Sequence, residues 1–445
     1  MKSRVYQFAL LIFTLLLGFL CFYQMIEKTV KVFPTSYIIA LSVFALLYIL
    51  TAILIMKFQP YANHTILSCV LLLTMIGITI ITRIDYTNKT QIGLRQLIWC
   101  CIALVISDII ICTLKDYRIF RRFSYVSMFV GLALLLSPMI PGLGRELGGA
   151  RIWIGMGSYT LQPGEFAKIF LAIFFAAYLF EHRDQLAVGG KRIMKFQLPR
   201  IQDMGPIIIV WLASMGVLIV QRDLGTSLMF FAMFISMLYV ATGRKEWIAI
   251  GVIAFILGSV ASAEIFSHVH YRVEAWLNPF DNKIYQRTYG GSMQLVSGLF
   301  GLAAGGLVGT GLGQGHPALT PLANSDFVYS SIGEELGLVG LLAILLIFII
   351  IISSGLITAM KIKDGFGKLL CSGLVFTMAF QVFTVVGGIT RVIPLTGLTL
   401  PYIAAGGSSL VANYVLATLL IIISNSANTP EPKVSTDTFK YDALA

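Results

Sequence analysis

The chain has 445 residues, of which 57% are hydrophobic and 12% charged, and its mean hydropathy is +0.86. Soluble domains carry about 25% charged side chains, so a water-soluble globule is excluded. A net charge of +11 would suggest a nucleic-acid partner in a soluble protein, but basic loops on the cytoplasmic side of a membrane account for it here. Six cysteines (Cys21, Cys69, Cys100, Cys101, Cys112 and Cys371) lie in or beside apolar segments without metal-ligand spacing. Neither a disulfide framework nor a zinc site is implied.

Runs of roughly 20 apolar residues, the length a membrane-spanning helix needs, recur along the chain. They predict twelve spans near 6–23, 37–56, 65–82, 96–113, 123–139, 163–180, 204–220, 226–242, 247–265, 332–353, 367–389 and 402–424. The first run lacks a small-residue cleavage site and is soon followed by another, so it reads as a retained helix and not as a signal peptide. The fold class expected is all-α, a polytopic transmembrane bundle. The short loop 114–122 holds Lys115, Arg118, Arg121 and Arg122, and the loop 181–203 holds Arg183, Lys191, Arg192, Lys195 and Arg200. Those loops belong inside, which places both termini in the cytoplasm. No internal repeat is evident, which weighs against an inverted-repeat transporter. Residues 426–445 are polar and read as a disordered cytoplasmic tail.

Two outer loops, 140–162 and 266–331, are too long for simple connections. The second is rich in glycine and aromatic residues, and short, partly re-entrant helices packed on the bundle are expected there. Ionisable groups at membrane depth or on the outer side carry the most weight, because burying charge in lipid is costly. In Gly149-Ala150-Arg151-Ile152-Trp153-Ile154, Arg151 beside Trp153 is either an interfacial anchor or a bidentate phosphate ligand. In Gln162-Pro163-Gly164-Glu165-Phe166-Ala167-Lys168, Glu165 and Lys168 share a helix face and can pair. The turn Gln221-Arg222-Asp223-Leu224-Gly225-Thr226 joins two spans. Along the long loop come Arg272, Trp276, Pro279, Asp281, Tyr285 and Gln286, then a glycine run from Gly305 to Gly313. That run has no Lys-Ser/Thr ending and is not a P-loop; close backbone packing is the better reading. Asp326 precedes a helix and is either its N-cap or a functional carboxylate. Glu334 and Glu335 are adjacent, so they point to different helix faces, and at least one suits an ion pair. Prolines and glycines between Thr390 and Ser409 mark irregular backbone. At membrane depth such backbone must line a cavity or be covered by protein, and Arg391 is a candidate cation there.

These pieces together resemble the SEDS family (shape, elongation, division and sporulation), which includes FtsW, RodA and SpoVE. The resemblance rests on six motifs in family order: GARIWI, QPGEFAK, QRDLGT, the Arg272-to-Gln286 series, NSDFVYSSIGEELG and PLTGLTLPYIAAGGSS. It covers roughly residues 65–425. The family has ten spans, so residues 1–60 supply two additional N-terminal helices ahead of a core at 61–425. There are departures: Arg222 stands where a Pro is usual, Gly164 where a Ser is usual, and the Glu and His that often precede the catalytic Asp are missing.

The resemblance implies a peptidoglycan glycosyltransferase that polymerises lipid II on the outer face of the bacterial cytoplasmic membrane, beside a class B penicillin-binding protein. It maps the catalytic Asp onto Asp326. A sugar hydroxyl attacks an anomeric carbon, so a carboxylate base is needed, and cations are needed where the diphosphate leaves. The expected diphosphate ligands are Arg151, then Lys168, Arg222 and Arg391, with Trp153, Glu165, Arg272, Glu334 and Glu335 in support. A divalent cation is compatible with this chemistry, though no recognisable ligand set encodes one. The alternatives are a lipid II flippase or transporter, which would need polar groups distributed through the membrane, and a scaffold that recruits a transpeptidase.

Overall fold

The computed structural model describes residues 2–30, 34–147, 149–156, 159–183, 192–193, 196–197 and 201–430. The basic residues Lys191, Lys195 and Arg200 and the tail beyond 430 lie outside the described residues. All twelve apolar segments are helical. In chain order the helices are α1 (Lys2–Thr29), α2 (Thr35–Phe58), α3 (Thr65–Asn88), α4 (Ile92–Thr113), α5 (Ile119–Arg122), α6 (Ser124–Leu136), α7 (Gly164–Glu181) and α8 (Ile201–Val220). They continue with α9 (Leu224–Thr242), α10 (Glu246–Ile265), α11 (Ser267–Leu277), α12 (Asn282–Tyr285), α13 (Met293–Gly305), α14 (Val328–Lys361), α15 (Gly365–Ile389) and α16 (Gly407–Asn428).

Nine of these are long and apolar enough to cross a membrane among the described residues. The other three expected spans are helical too. Those in α6 and α8 have shorter apolar stretches, and α7 carries Glu165, Lys168 and Glu181. Helices α3, α15 and α16 form the centre, with 83%, 72% and 89% of their apolar stretches buried, against 6% for α10. The two N-terminal helices lie outside this centre, α1 against α3 and α2 against α4. Small residues set the closest approaches, as in other helical membrane bundles. A Cβ at Gly77 of α3 would fall 2.4 Å from the Ile403 carbonyl oxygen.

The long loop 266–331 does fold as short helices, α11, α12 and α13. Helix α14 has 34 residues and breaks at Gly337 (φ 66°). Unbroken, it would run about 51 Å at ~1.5 Å per residue, well beyond the ~30 Å of hydrocarbon. Residues 328–336 therefore form a separate half-helix. The glycine run packs on that break, as its backbone pattern suggested. Leu338 and Val339 donate N–H bonds to the Gly306 and Leu307 carbonyls, at 2.9 and 3.1 Å.

The loop 140–162 departs from an all-helical picture. Strands β1 (Gly144–Leu147), β2 (Ala150–Met156) and β3 (Tyr159–Leu161) make an antiparallel sheet in the order β1-β2-β3. Arg145 lies opposite Trp153, and Ile154 opposite Leu161. A second pair, β4 (Arg192–Ile193) and β5 (Phe196–Gln197), lies in the loop 181–203. The Arg151 N–H donates to the Gln221 carbonyl at 3.1 Å, which docks the first sheet on the α8–α9 turn.

Candidate active site

Two of the charged assemblies among the described residues differ in how fully their groups are satisfied. The first is built on α7. Glu165 and Lys168 pair at 2.7 Å as their i, i+3 spacing suggested. Lys168, 1% exposed, also donates to Gln381 Oε1 at 3.0 Å and Asn413 Oδ1 at 3.1 Å. The partners are themselves tied down. Gln381 donates to the Thr399 carbonyl at 2.9 Å, and Asn413 to the Ser409 carbonyl at 2.8 Å. An ammonium has three donors, and all three are engaged. Lys168 therefore joins α7 to α15 and α16, and offers no donor to a diphosphate.

Arg391 is similarly committed. Its Nε and Nη2 donate to the Trp276 and Leu277 carbonyls, both at 2.9 Å, and the Trp276 indole donates back to the Arg391 carbonyl at 3.1 Å. The guanidinium holds the last carbonyls of α11, which a helix end leaves without intrahelical donors. Glu335 is the buried ion-pair partner that the adjacent glutamates suggested. It faces Arg83 of α3 at 3.2 Å and accepts from the Gly313 N–H at 2.9 Å. Glu334 accepts from the His316 N–H at 2.6 Å. Both glutamates thus anchor the glycine loop to the half-helix.

The second assembly surrounds Asp326. The Leu322 carbonyl accepts from the N–H groups of Ser325 and Phe327, both at 3.1 Å, and this winds the chain tightly ahead of the half-helix. The Asn324 carbonyl accepts from the Ala405 N–H at 2.8 Å, which stitches the loop to the irregular 390–406 segment. Asp326 is not an N-cap: Phe327 holds that position, with no side-chain cap. Asp223, Asp281 and Asp364, by contrast, each accept a backbone N–H at the start of a helix. The Asp326 carboxylate points instead toward Gly397 and Arg272. A Cβ at Gly397 would lie 3.9 Å from Asp326 Oδ2 and 3.8 Å from Arg272 Nη2.

Arg272 Nη1 donates to the Leu395 and Thr396 carbonyls at 3.0 and 2.9 Å, which fixes the guanidinium within the field of two acids, Asp223 and Asp326. Burial pushes the Asp326 carboxyl up to about 6, and the charge of Arg272 and a hydrogen bond from Ser325 pull it back. Asp223 is also raised by burial, against its bonds from Thr226 and the field of Arg272. Arg272 is held below its ordinary value by burial, with Asp223 and Asp326 opposing. A carboxylate near neutrality that caps nothing and has no ion pair within 4 Å among the described residues is suited to accept a proton.

Arg151 and Arg222 are exposed, and their guanidinium groups make no hydrogen bond or ion pair among the described residues. Trp153 is half-buried in the sheet opposite Arg145. Arg222, Leu322, Arg391 and Tyr402 all have left-handed backbone (φ 55–65°), which costs an L-residue roughly 1–2 kcal/mol. They sit in the turns around this assembly, where strained residues commonly mark function. Asp223, Gln381 and Asn413 are the members that sequence reasoning left out. The signal for the last two was a polar side chain in the middle of an apolar span. Among the described residues no cluster of His, Cys, Asp and Glu could hold a metal.

The fold and site define a multi-pass helical membrane protein in which an uncapping carboxylate, Asp326, lies beside Arg272 where several helices end. The family model covering FtsW, RodA and SpoVE, described as a cell cycle protein, matches residues 63–429. The chain is 41% identical over 384 residues to the peptidoglycan glycosyltransferase RodA of Mycobacterium tuberculosis, covering 84% of this chain and 81% of that one. It is 31% identical over 314 residues to the stage V sporulation protein E of Bacillus subtilis, covering 69% and 81%. Among solved structures, the fold is similar to a chain described under "structural coordination of polymerization and crosslinking by a peptidoglycan synthase complex" (TM-score 0.66, 22% identity, 83% of this chain and 99% of that one). It is also similar to the rod shape determining protein RodA of Thermus thermophilus (TM-score 0.58, 20% identity, 83% and 98%). This chain belongs to the FtsW/RodA/SpoVE family.

Proposed function

We propose that this chain is a peptidoglycan glycosyltransferase that polymerises lipid II on the outer face of the cytoplasmic membrane, with Asp326 as general base. The observation that carries the role of Asp326 is its freedom: it is the site's carboxylate with a raised proton affinity and no helix to cap. One Asp326 oxygen takes the proton from the acceptor sugar hydroxyl. The hydroxyl oxygen then attacks the anomeric carbon of the second lipid-linked sugar from the face opposite the leaving group. The carbon–oxygen bond to the diphosphate breaks, the configuration inverts, and the lipid diphosphate departs with the electron pair. Charge developing on that oxygen needs preorganised cations. Arg151 and Arg222 have free guanidinium groups for this, and Arg272 fixes the wall behind the base.

In this reading residues 61–425 form the catalytic core, residues 1–60 are an added helical pair, and both termini are cytoplasmic. A class B penicillin-binding protein is the partner that cross-links the product. The test is glycan polymerisation from lipid II by the purified chain with that partner, comparing wild type with Asp326→Ala. Polymer from wild type and none from a folded variant is the expected result. Equal polymer from both would remove Asp326 from the reaction, and no polymer from either would favour a transport or scaffold role.

A further inference from the structure

The glycine run touches both the N-terminal helix α1 and the half-helix that follows Asp326. On the α1 side, a Cβ at Gly313 would lie 3.0 Å from Lys28 Cβ, 3.0 Å from Thr29 Oγ1 and 3.3 Å from the Met25 carbonyl oxygen. Phe22, Met25 and Ile26 are buried, so the last turns of α1 are packed in place. The Thr29 hydroxyl is buried there without a hydrogen-bond partner among the described residues, so this contact is one of packing alone. On the other side the run is stitched to the half-helix. The Thr310 and Gly311 N–H groups donate to the Glu334 and Glu335 carbonyls at 3.0 and 2.9 Å. Gly313 joins the two sides, because its N–H donates to Glu335 Oε2 at 2.9 Å. Arg83 of α3 closes the assembly. Its Nε lies 3.2 Å from Glu335 Oε1, its Nη2 donates to the Gly315 carbonyl at 2.7 Å, and its Nη1 to Thr87 Oγ1 at 2.8 Å.

We propose that α1 is a brace for the catalytic base: together with Arg83 it holds the glycine run, and through Glu335 it holds the half-helix whose start carries Asp326. The assignment rests on the role of Asp326 given above. Asp326 moves with the half-helix, because Ser331 Oγ donates to the Ala323 carbonyl at 2.9 Å and ties the preceding turn to the first helical turn. Glu335 lies nine residues further on, about 13 Å along the axis at ~1.5 Å per residue. The break at Gly337 separates the half-helix from the rest of α14, so the glycine run and not the long helix fixes its far end. Misplacing a reacting group by about 1 Å costs on the order of 100-fold in rate. A tilt of this short rod about its Asp326 end is therefore enough to matter. Arg83 and Glu335 touch no reacting atom and are positioning residues. Both struts come from neighbouring helices, since α1 packs on the α3 that supplies Arg83.

Steady-state polymerisation of lipid II by the full chain with a class B penicillin-binding protein, resolved into kcat and KM, tests this. Each variant is assayed well below its own thermal midpoint, so that folded populations are compared. Thr29→Phe places a ring where the hydroxyl now meets Gly313 and wedges α1 off the run. Its kcat should fall about tenfold or more with KM unchanged, the pattern of a lost transition-state arrangement and not of lost substrate binding. Leu20→Phe adds a ring on the exposed face of α1 and should leave both constants at their wild-type values. Arg83→Gln should lower kcat to a similar degree, and Arg83→Lys, which keeps a cation for Glu335, should recover part of it. Because both act through one loop, Thr29→Phe/Arg83→Gln should lose less than the product of the single losses. Wild-type kcat in Thr29→Phe would overturn the brace, as would a KM that rises while kcat holds, or single losses that multiply. Asp326→Ala separates the two claims. Full polymerisation by that variant removes the base, whereas its inactivity beside an unimpaired Thr29→Phe removes the brace and leaves the base standing.

Discussion

The assembly around Lys168 and the assembly around Asp326 are built from the same residue types and do opposite things. At Lys168 every donor has an acceptor, and the acceptors are held in turn by α15 and α16. A buried charge satisfied in this way fixes the helices relative to one another and leaves nothing for a ligand. At Asp326 the carboxylate is placed by backbone hydrogen bonds, caps no helix and is shifted toward neutrality by burial. Its neighbour Arg272 is anchored by two carbonyls and not by a carboxylate. Satisfaction suits the first assembly to a structural role, and incomplete satisfaction suits the second to the proton transfer proposed for it.

The largest expected effect is on the closed assembly. Lys168→Met leaves Glu165 as an unpaired buried carboxylate, and breaking such a pair costs about 3–5 kcal/mol. Thermal unfolding in detergent should show a large drop, and Glu165→Gln/Lys168→Met together a smaller one. A Lys168→Met protein as stable as wild type would break the contrast between the two regions.

Arg272→Gln should reduce polymerisation at least tenfold at neutral pH. It removes the cation whose field holds the Asp326 proton affinity down, so the acid side of the pH–rate profile should move above 6. An unmoved profile would mean that Arg272 does not act through Asp326. In the wild type the base works as its carboxylate, so the rate should fall as pH drops through about 6 and level off above it. Single-turnover chain extension between pH 5 and 8, on the order of one tenfold step per unit at the acid end, reads this directly. The smallest effect belongs to Arg391→Gln. Losing its bonds to the α11 carbonyls should cost about 1–2 kcal/mol and leave the pH midpoint where it was, as a pin and not a ligand would.

The spans were legible because each needs a long apolar run, and twelve such runs are hard to hide. The Glu165–Lys168 pair was legible from its spacing, and the packing role of the glycine run from its missing phosphate-loop ending. Other features depend on distant partners. Gln381 and Asn413 approach Lys168 from 213 and 245 residues away, so no local pattern could show that the lysine is fully engaged. Arg391 looked like a free cation because the carbonyls it holds, at Trp276 and Leu277, belong to another element. The sheet at 144–161 has strands of only 3 to 7 residues, too short for their alternation to stand out in an apolar chain. Whether Asp326 caps its helix was undecidable from sequence, because an Asp ahead of a helix reads the same in either role.

The most direct test of the contrast measures activity and stability on the same preparations of Asp326→Asn and Lys168→Met. Polymerisation from lipid II and thermal midpoint are the two readouts. The account predicts that Asp326→Asn loses activity by 100-fold or more, within the range for a general base, while its midpoint stays at or above that of wild type. Lys168→Met should lose its midpoint first. An Asp326→Asn protein that polymerises like wild type, or that unfolds as readily as Lys168→Met, would contradict the claim that Asp326 is a reactive group and not a structural one.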